Sequence, residues 1–166
     1  MELLDAESYQ IKEVYAHFGL AMFMAQGLEQ TLAIALATVY GPGTQRITRT
    51  QYDDLLKLNF RKTLGMLINQ IRKTVELTEE LEQMLSEALE KRNWLAHDYF
   101  RERAVVFNDE NGRDSMIKEL KETADFIEDV DYRFMAILEQ WGEKHGVTEQ
   151  IIERIMRGLV SGEQAV

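Results

Sequence analysis

The sequence contains no cysteine and a single proline, Pro42, among its 166 residues. Without cysteine the chain can form neither a disulfide nor a thiolate metal site, and it has no cysteine nucleophile. This composition fits a reducing cytosol, so we expect a cytoplasmic protein. Glutamate, leucine, alanine, methionine and glutamine are plentiful instead, and all of them favour helices. An all-α fold is therefore the first prediction.

Basic residues are also few. Nineteen lysines and arginines face twenty-nine acidic residues, which gives a net charge of −10. This balance argues against a protein that coats nucleic acid through a broad basic face. It does not exclude a small basic cleft, because a phosphate backbone responds to the charge that lies close to it.

Signals for export or for a membrane anchor are weak. The first residues are acidic rather than basic, which predicts no signal peptide. The most apolar stretch, residues 20–40, is interrupted by Gln26, Glu29 and Gln30. These polar groups would be costly inside a bilayer, so we expect a buried helix of a soluble protein and no membrane partner.

The spacing of apolar residues predicts four long helices and one short one. The first helix ends at the Gly41-Pro42-Gly43 segment, where glycine and proline stop a helix. A short turn is expected around Tyr52–Leu58, and the composition of Asn108–Arg113 is typical of a turn. The predicted helices cover residues 6–40, 60–74, 78–103, 115–145 and 148–159.

These helices predict one domain, residues 1–160, built as a bundle of four main helices plus a short C-terminal helix. Residues 161–166 are expected to form a flexible tail. The short apolar run 104–107 fits either the end of a helix or a brief extended piece.

Several kinds of site have no support in the sequence. A ferritin-like metal site needs Glu-x-x-His pairs, and none of the three histidines, His17, His97 and His145, has a glutamate three residues before it. There is no glycine-rich phosphate loop and no plausible serine triad. We therefore predict neither a metal nor a cofactor.

One polar group stands out in the third predicted helix, within the stretch KRNWLAHDYF at residues 91–100. On a helical wheel Arg92 falls in the middle of an apolar stripe, where an unpaired guanidinium would be costly. Asn93 and His97 are neighbours one turn apart, whereas Arg92 lies about 140° from His97. The apolar stripe consists of Leu81, Leu85, Ala88, Leu95, Ala96 and Tyr99.

The order Arg92, Asn93, His97 and Tyr99 resembles the motif of the HEPN superfamily, small all-helical domains common in prokaryotic defence systems. The fuller form, Arg-x4-His-x-Tyr, is similar to toxins that are paired with minimal nucleotidyltransferase antitoxins. The resemblance implies a HEPN-like fold, a homodimer that joins two motifs at its interface, and RNA cleavage without a metal. It also implies that Tyr99 matches a tyrosine that the antitoxin adenylylates, which would make it a regulatory or site-shaping residue.

The chemistry of these residues agrees with that expectation. Internal attack on RNA needs one group to accept the 2′-hydroxyl proton and another to protonate the leaving oxygen, and imidazole does either near neutral pH. Arg92 offers a planar cation for phosphate oxygens. Asn93 would orient His97 or bind the phosphate. A symmetric dimer would supply two histidines, one acid and one base.

Other interpretations remain open at this point. His97 fits an ordinary surface histidine, and Arg92 fits a structural ion pair with a carboxylate such as Glu29. Many HEPN-like domains are non-catalytic dimerisation or interaction modules, which is the alternative function.

Two charged segments add weaker indications. Residues 55–75 hold five bases and no acid, which predicts either an RNA-binding strip or a solvated helix face. Residues 109–131 are strongly acidic and would dock a basic partner such as an antitoxin, or the basic strip itself. The five bases are Lys57, Arg61, Lys62, Arg72 and Lys73.

Overall fold

The computed structural model describes residues 5–41 and 48–147, together with positions 150 and 153. Within this part of the chain it has six α-helices, one short 3-10 turn and no β-strand, which confirms the all-α prediction. The predicted tail 161–166, and the predicted helix 148–159 apart from those two positions, lie outside the described residues. The helices are α1 (Ala6–Tyr40), α2 (Arg49–Phe60), α3 (Leu64–Thr74), α4 (Glu79–His97), α5 (Tyr99–Arg103) and α6 (Glu110–His145).

The chain divides into two compact units, and α1 and α6 contribute to both. Unit 1 comprises Met1–Leu28 and Glu79–Asp131, and unit 2 comprises Glu29–Thr78 and Tyr132–Val166. Helix α1 is long and apolar enough to cross a membrane, as is the core helix of many soluble proteins, and 44% of its most apolar window is buried.

Unit 1 is organised around Tyr99, whose side chain is fully buried. Its ring centroid lies 4.8 Å from that of Trp94, 5.3 Å from that of Phe100 and 5.8 Å from that of Phe18. Aromatic pairs at these separations add to the stability that burial already provides. The same cluster includes Val14, Ala21, Leu95, Met116, Leu120 and Ala124, so that α1, α4, α5 and α6 all contribute to it.

Side-chain caps determine where the helices of unit 2 begin. Thr48 and Gln51 form a capping box, in which Thr48 Oγ1 accepts the Gln51 N–H at 3.2 Å and Gln51 Oε1 accepts the Thr48 N–H at 2.8 Å. Thr63 Oγ1 accepts the Met66 N–H at 3.4 Å and so caps α3. Ala37, Tyr52 and Leu56 form a buried cluster in this unit.

Helix α2 corrects one prediction from the sequence. The expected short turn around Tyr52–Leu58 is wrong, because the whole segment lies inside a twelve-residue helix. The capping box starts this helix upstream of the apolar residues, and Tyr52 and Leu56, one turn apart, bury the same face. The next helix consequently begins at Leu64 rather than at residue 60.

The middle of the chain differs from the prediction in two further places. The helix expected over 78–103 stops at His97, and α5 follows after Asp98. The turn expected over Asn108–Arg113 is confined to residues 108 and 109, because α6 already begins at Glu110. Asp109 starts α6, since its Oδ2 accepts the Gly112 N–H at 3.0 Å.

Segment 104–107, which the sequence left open between a helix end and an extended piece, is a helix end, because Ala104 and Val105 keep helical backbone angles after α5. It forms a turn that runs into the 3-10 turn Val106–Asn108. This turn packs closely on α6, where a Cβ at position 112 would lie 2.0 Å from the carbonyl oxygen of Val106. Gly112 is therefore required for the approach.

Candidate functional site

The motif residues Arg92–Tyr99 lie in unit 1, across a shallow break between α4 and α5. At Asp98 the backbone departs from helical geometry, with φ −124° and ψ −23°. The hydrogen-bond pattern nevertheless continues, because the Asp98 N–H donates to the Trp94 carbonyl and the Glu102 N–H donates to the Asp98 carbonyl, both at 2.9 Å. The Asp98 carboxylate also forms an ion pair with Arg101.

Arg92 and Asn93 are brought together at the surface of α4. Arg92 is half-buried on the apolar side of the helix, and its Nη1 donates to Asn93 Oδ1 at 3.2 Å. Asn93 is exposed. The contact directs the guanidinium from the buried stripe towards the flank of the helix on which Asn93 lies.

His97 is the last residue of α4 and is exposed to solvent. It lies one turn beyond Asn93 on the same flank. Ideal helix geometry separates it from Arg92 by about 140° around the axis and about 7.5 Å along it. The structure thus joins Arg92 to Asn93 directly and presents His97 one turn further on, at the open end of the helix.

Tyr99 belongs to the core of unit 1 rather than to that flank. Its hydroxyl donates to the carbonyl oxygen of Met116 at 3.4 Å. Burial raises the pKa of Tyr99 well above its ordinary value, and the negative charge of Glu119 raises it further. The phenol is therefore neutral at physiological pH, and its hydroxyl faces α6.

A second polar group, which sequence reasoning missed, connects the motif to α6. Arg103 donates to both carboxylate oxygens of Glu119, from Nε at 3.0 Å and from an Nη at 2.6 Å. Its guanidinium also lies 5.2 Å from the Trp94 ring centroid. Trp94 Nε1 in turn donates to Glu102 Oε2 at 2.8 Å. The spacing of these residues follows no known motif, so only their three-dimensional arrangement reveals the network.

The basic strip lies in unit 2, and its five residues have different surroundings. Lys62 is half-buried, and its Nζ donates to Asn59 Oδ1 and to Gln70 Oε1, each at 2.6 Å. This lysine therefore joins α2 to α3. Lys57 is exposed and lies 3.9 Å from Asp54. Arg61, Arg72 and Lys73 are exposed.

The acidic segment 109–131 contains one deeply buried cation. Arg113 is only 5% exposed. Its Nε donates to Gln10 Oε1 at 2.6 Å and its Nη1 to the Phe107 carbonyl at 3.1 Å. Because these contacts join α1 to the start of α6, Arg113 is a structural residue, and the exposed side of the segment keeps its acidic character.

Comparisons with protein-family models, with curated proteins and with solved structures found no match for this chain. In the part of the chain that the structure describes, no group of three or more histidine, aspartate or glutamate side chains is arranged to hold a metal ion.

Proposed function

We propose that this chain is a HEPN-like, metal-independent endoribonuclease that works as a cytoplasmic homodimer, and that it serves as the toxin of a toxin–antitoxin or other defence pair. The observation that carries the proposal is the geometry at the end of α4. There the exposed imidazole of His97 lies one turn from Asn93, which holds the Arg92 guanidinium at 3.2 Å. The proposal includes a HEPN-like arrangement of the helices.

The roles follow from the chemistry of each group. His97 transfers protons as general acid or base, for which an exposed imidazole suits neutral pH. Arg92 binds the phosphate and stabilises the negative charge that develops on it. Asn93 fixes the direction of the guanidinium. Tyr99 shapes the site from the core side, because its ring in α5 packs against that of Trp94 in α4.

A second copy of the chain completes the site. One imidazole cannot remove one proton and deliver another in the same step, whereas two imidazoles across a twofold axis can. The outer face of α1 offers a contact, since Leu20 and Phe23 are 41% and 66% exposed there. This part of α1 is level with His97, because Phe18 contacts Tyr99 and Ala21 shares a buried cluster with Leu95.

The second candidate is a non-catalytic interaction module. It is favoured by the burial of Tyr99 and by the network that ties Trp94 to Glu102 and Arg103. In this alternative the motif stabilises the α4–α5 bend and has no chemical role. Adenylylation by a nucleotidyltransferase antitoxin would require the Tyr99 hydroxyl to leave the core, so regulation at that residue would need α5 to move.

Cleavage of a fluorescent single-stranded RNA in EDTA separates the two candidates. We expect the wild type to cleave it and His97→Ala to lose at least about a hundredfold in rate, the usual contribution of general acid–base catalysis. Arg101→Ala is the matched control, because Arg101 is exposed and its replacement removes a charge only four residues from His97. This control should retain the wild-type rate.

The interaction module is favoured instead if the wild type is inactive, or if wild type and His97→Ala cleave equally. His97 is exposed at a helix end, so the substitution leaves the core intact. Circular dichroism before each assay checks that both variants have the wild-type helix content.

A further inference from the structure

Unit 2 contains a cleft of about 630 Å³ that the proposed chemistry does not use. It lies between the C-terminal end of α6 and the linker that joins α3 to α4. The linker contributes residues 74–78, and α6 contributes Ile137, Gln140, Trp141, Lys144 and His145.

A stacked pair of aromatic rings lines this cleft. The rings of Trp141 and His145 lie 4.2 Å apart between centroids and only 14° from parallel. His145 Nδ1 is 2.8 Å from the Trp141 carbonyl oxygen. Because a carbonyl only accepts, Nδ1 carries the proton and Nε2 is left to contact a ligand. A further flat ring can extend the stack on the face of the exposed His145 imidazole that Trp141 does not cover.

The end of α6 is held in a defined conformation. Gly146 has φ +72°, and the Val147 N–H donates to the Gly142 carbonyl at 2.8 Å. This is a Schellman-type helix end, which requires glycine in the left-handed region. A Cβ at position 142 would lie 2.7 Å from the Val147 carbonyl oxygen, so the close approach also requires glycine there. Lys144 and His145 are consequently positioned by backbone that has little freedom.

One basic residue lies in the lining of the cleft, and two more come directly before the linker in the sequence. Lys144 lines the cleft from α6, and Arg72 and Lys73 form the basic last turn of α3, immediately before the linker. Glu76 is the single acidic residue among those that line the cleft. Aromatic faces beside cations are the combination that binds bases and phosphates of single-stranded nucleic acid.

We propose that this cleft binds a nucleobase that carries a phosphate, with the base stacked on His145 and the phosphate near Lys144. Such a group is available from a free nucleotide or from an RNA strand. The inference rests on the proposed function only in its expectation that RNA is the polymer, and it adds a subsite that lies outside the Arg92–Tyr99 motif.

The test uses the full-length chain labelled with 5-fluorotryptophan and carrying His97→Ala, so that cleavage cannot remove the ligand. The chain has two tryptophans, and Trp141→Phe assigns their two fluorine resonances. Short oligoadenylate and oligouridylate are titrated in one arm and AMP and UMP in the other. We expect the Trp141 resonance to shift with saturation while the Trp94 resonance stays in place.

The variants make the assignment specific. His145→Ala should weaken binding at least about fivefold through the loss of stacking, and Lys144→Gln should weaken it about threefold through the loss of a phosphate contact. Lys118→Gln removes another exposed lysine from the same helix and should leave affinity unchanged. Glu76→Gln should tighten binding, because it removes the opposing charge.

A shift with oligonucleotides alone identifies an RNA subsite, and a shift with AMP or UMP alone identifies a nucleotide site. The proposal is overturned if no ligand shifts the Trp141 resonance, or if His145→Ala binds as tightly as its parent. Binding at Trp141 by a chain whose wild type cleaves no RNA would end the proposed function and leave this site in place. RNA cleavage by the wild type without any shift of the Trp141 resonance would support the proposed function and overturn the proposal for this cleft.

Discussion

Helices α1 and α6 have nearly the same length, 35 and 36 residues, and similar inner faces, but their outer faces are different. On the inside, each contacts Tyr99, α1 through the Phe18 ring and α6 through the Met116 carbonyl. On the outside, Tyr9, Leu20 and Phe23 of α1 are exposed, and Lys12 is the single exposed charge between Tyr9 and Gln26.

The corresponding part of α6 has a conventional solvent-facing surface. From Glu110 to Asp131 it exposes no large apolar side chain. Its exposed residues are mostly charged, including Lys118, Lys121, Glu122, Asp125, Glu128 and Asp129. In a chain of net charge −10, two copies repel each other wherever such surfaces meet. The outer face of α1, which carries few charges, is the place where two copies can meet with less of that repulsion.

The inner faces should respond alike to the loss of a buried side chain, and this is the largest effect that we expect. Leu28 of α1 and Leu120 of α6 are both fully buried in unit 1. Leu28→Ala and Leu120→Ala should each lower the free energy of unfolding by about 2–5 kcal/mol, because each leaves a cavity. Urea denaturation followed by circular dichroism measures this. A loss confined to one helix would show that the inner faces are not equivalent.

The outer faces should respond differently to a new charge. Phe23→Asp should raise the dissociation constant of the dimer at least about thirtyfold, since it buries a carboxylate at the contact. RNA cleavage should fall as the dimer dissociates. Tyr132→Asp is the matched control, because Tyr132 is an aromatic residue of α6 with 75% exposure, and the dimer should persist. Sedimentation velocity measures the dissociation constants of both variants. Equal dissociation constants would show that α1 is not part of the dimer interface.

Stability at alkaline pH tests the role of Tyr99, which the inner faces of α1 and α6 both contact. Burial raises the pKa of Tyr99 above its usual value, and burial does the same for Tyr52 in unit 2. As pH rises beyond about 10, the unfolded chain loses these protons first, so the folded state becomes progressively less stable. Urea midpoints between neutral pH and about pH 11 should fall less steeply in Tyr99→Phe than in wild type. An unchanged slope would mean that the phenol does not titrate differently in the folded chain.

The smallest effect concerns Gly19 on the outer face of α1. A Cβ at this position would meet nothing within 4 Å in the protomer, so Gly19→Ala should stabilise the helix by about 0.5–1 kcal/mol. Where a second copy packs against the same face, the added methyl group should weaken the dimer severalfold. Greater thermal stability together with weaker association is the expected pair of results, and greater stability with unchanged association would place the contact elsewhere.

Composition and periodicity were enough to predict the helical class and the long helices α1 and α6, because both signals extend over many turns. The sequence did not predict α2, whose start depends on a reciprocal contact between Thr48 and Gln51. The break at Asp98 was missed as well, since the pattern of apolar residues continues across it.

Long-range contacts explain the rest of what was missed at the site. The wheel placed Asn93 beside His97, which needs only helix geometry. That Arg92 contacts Asn93, and that the Tyr99 hydroxyl reaches Met116 on another helix, depends on rotamers and packing that spacing does not encode. The ion pair between Arg103 and Glu119 has the same origin.

The most direct test of the central claim compares an unmodified RNA with the same RNA carrying a 2′-O-methyl group at every ribose, both in EDTA. We predict that the wild type cleaves the unmodified strand and leaves a 2′,3′-cyclic phosphate, that the methylated strand stays intact, and that His97→Ala cleaves neither. Cleavage of both strands, activity that EDTA abolishes, or full activity in His97→Ala would contradict the account.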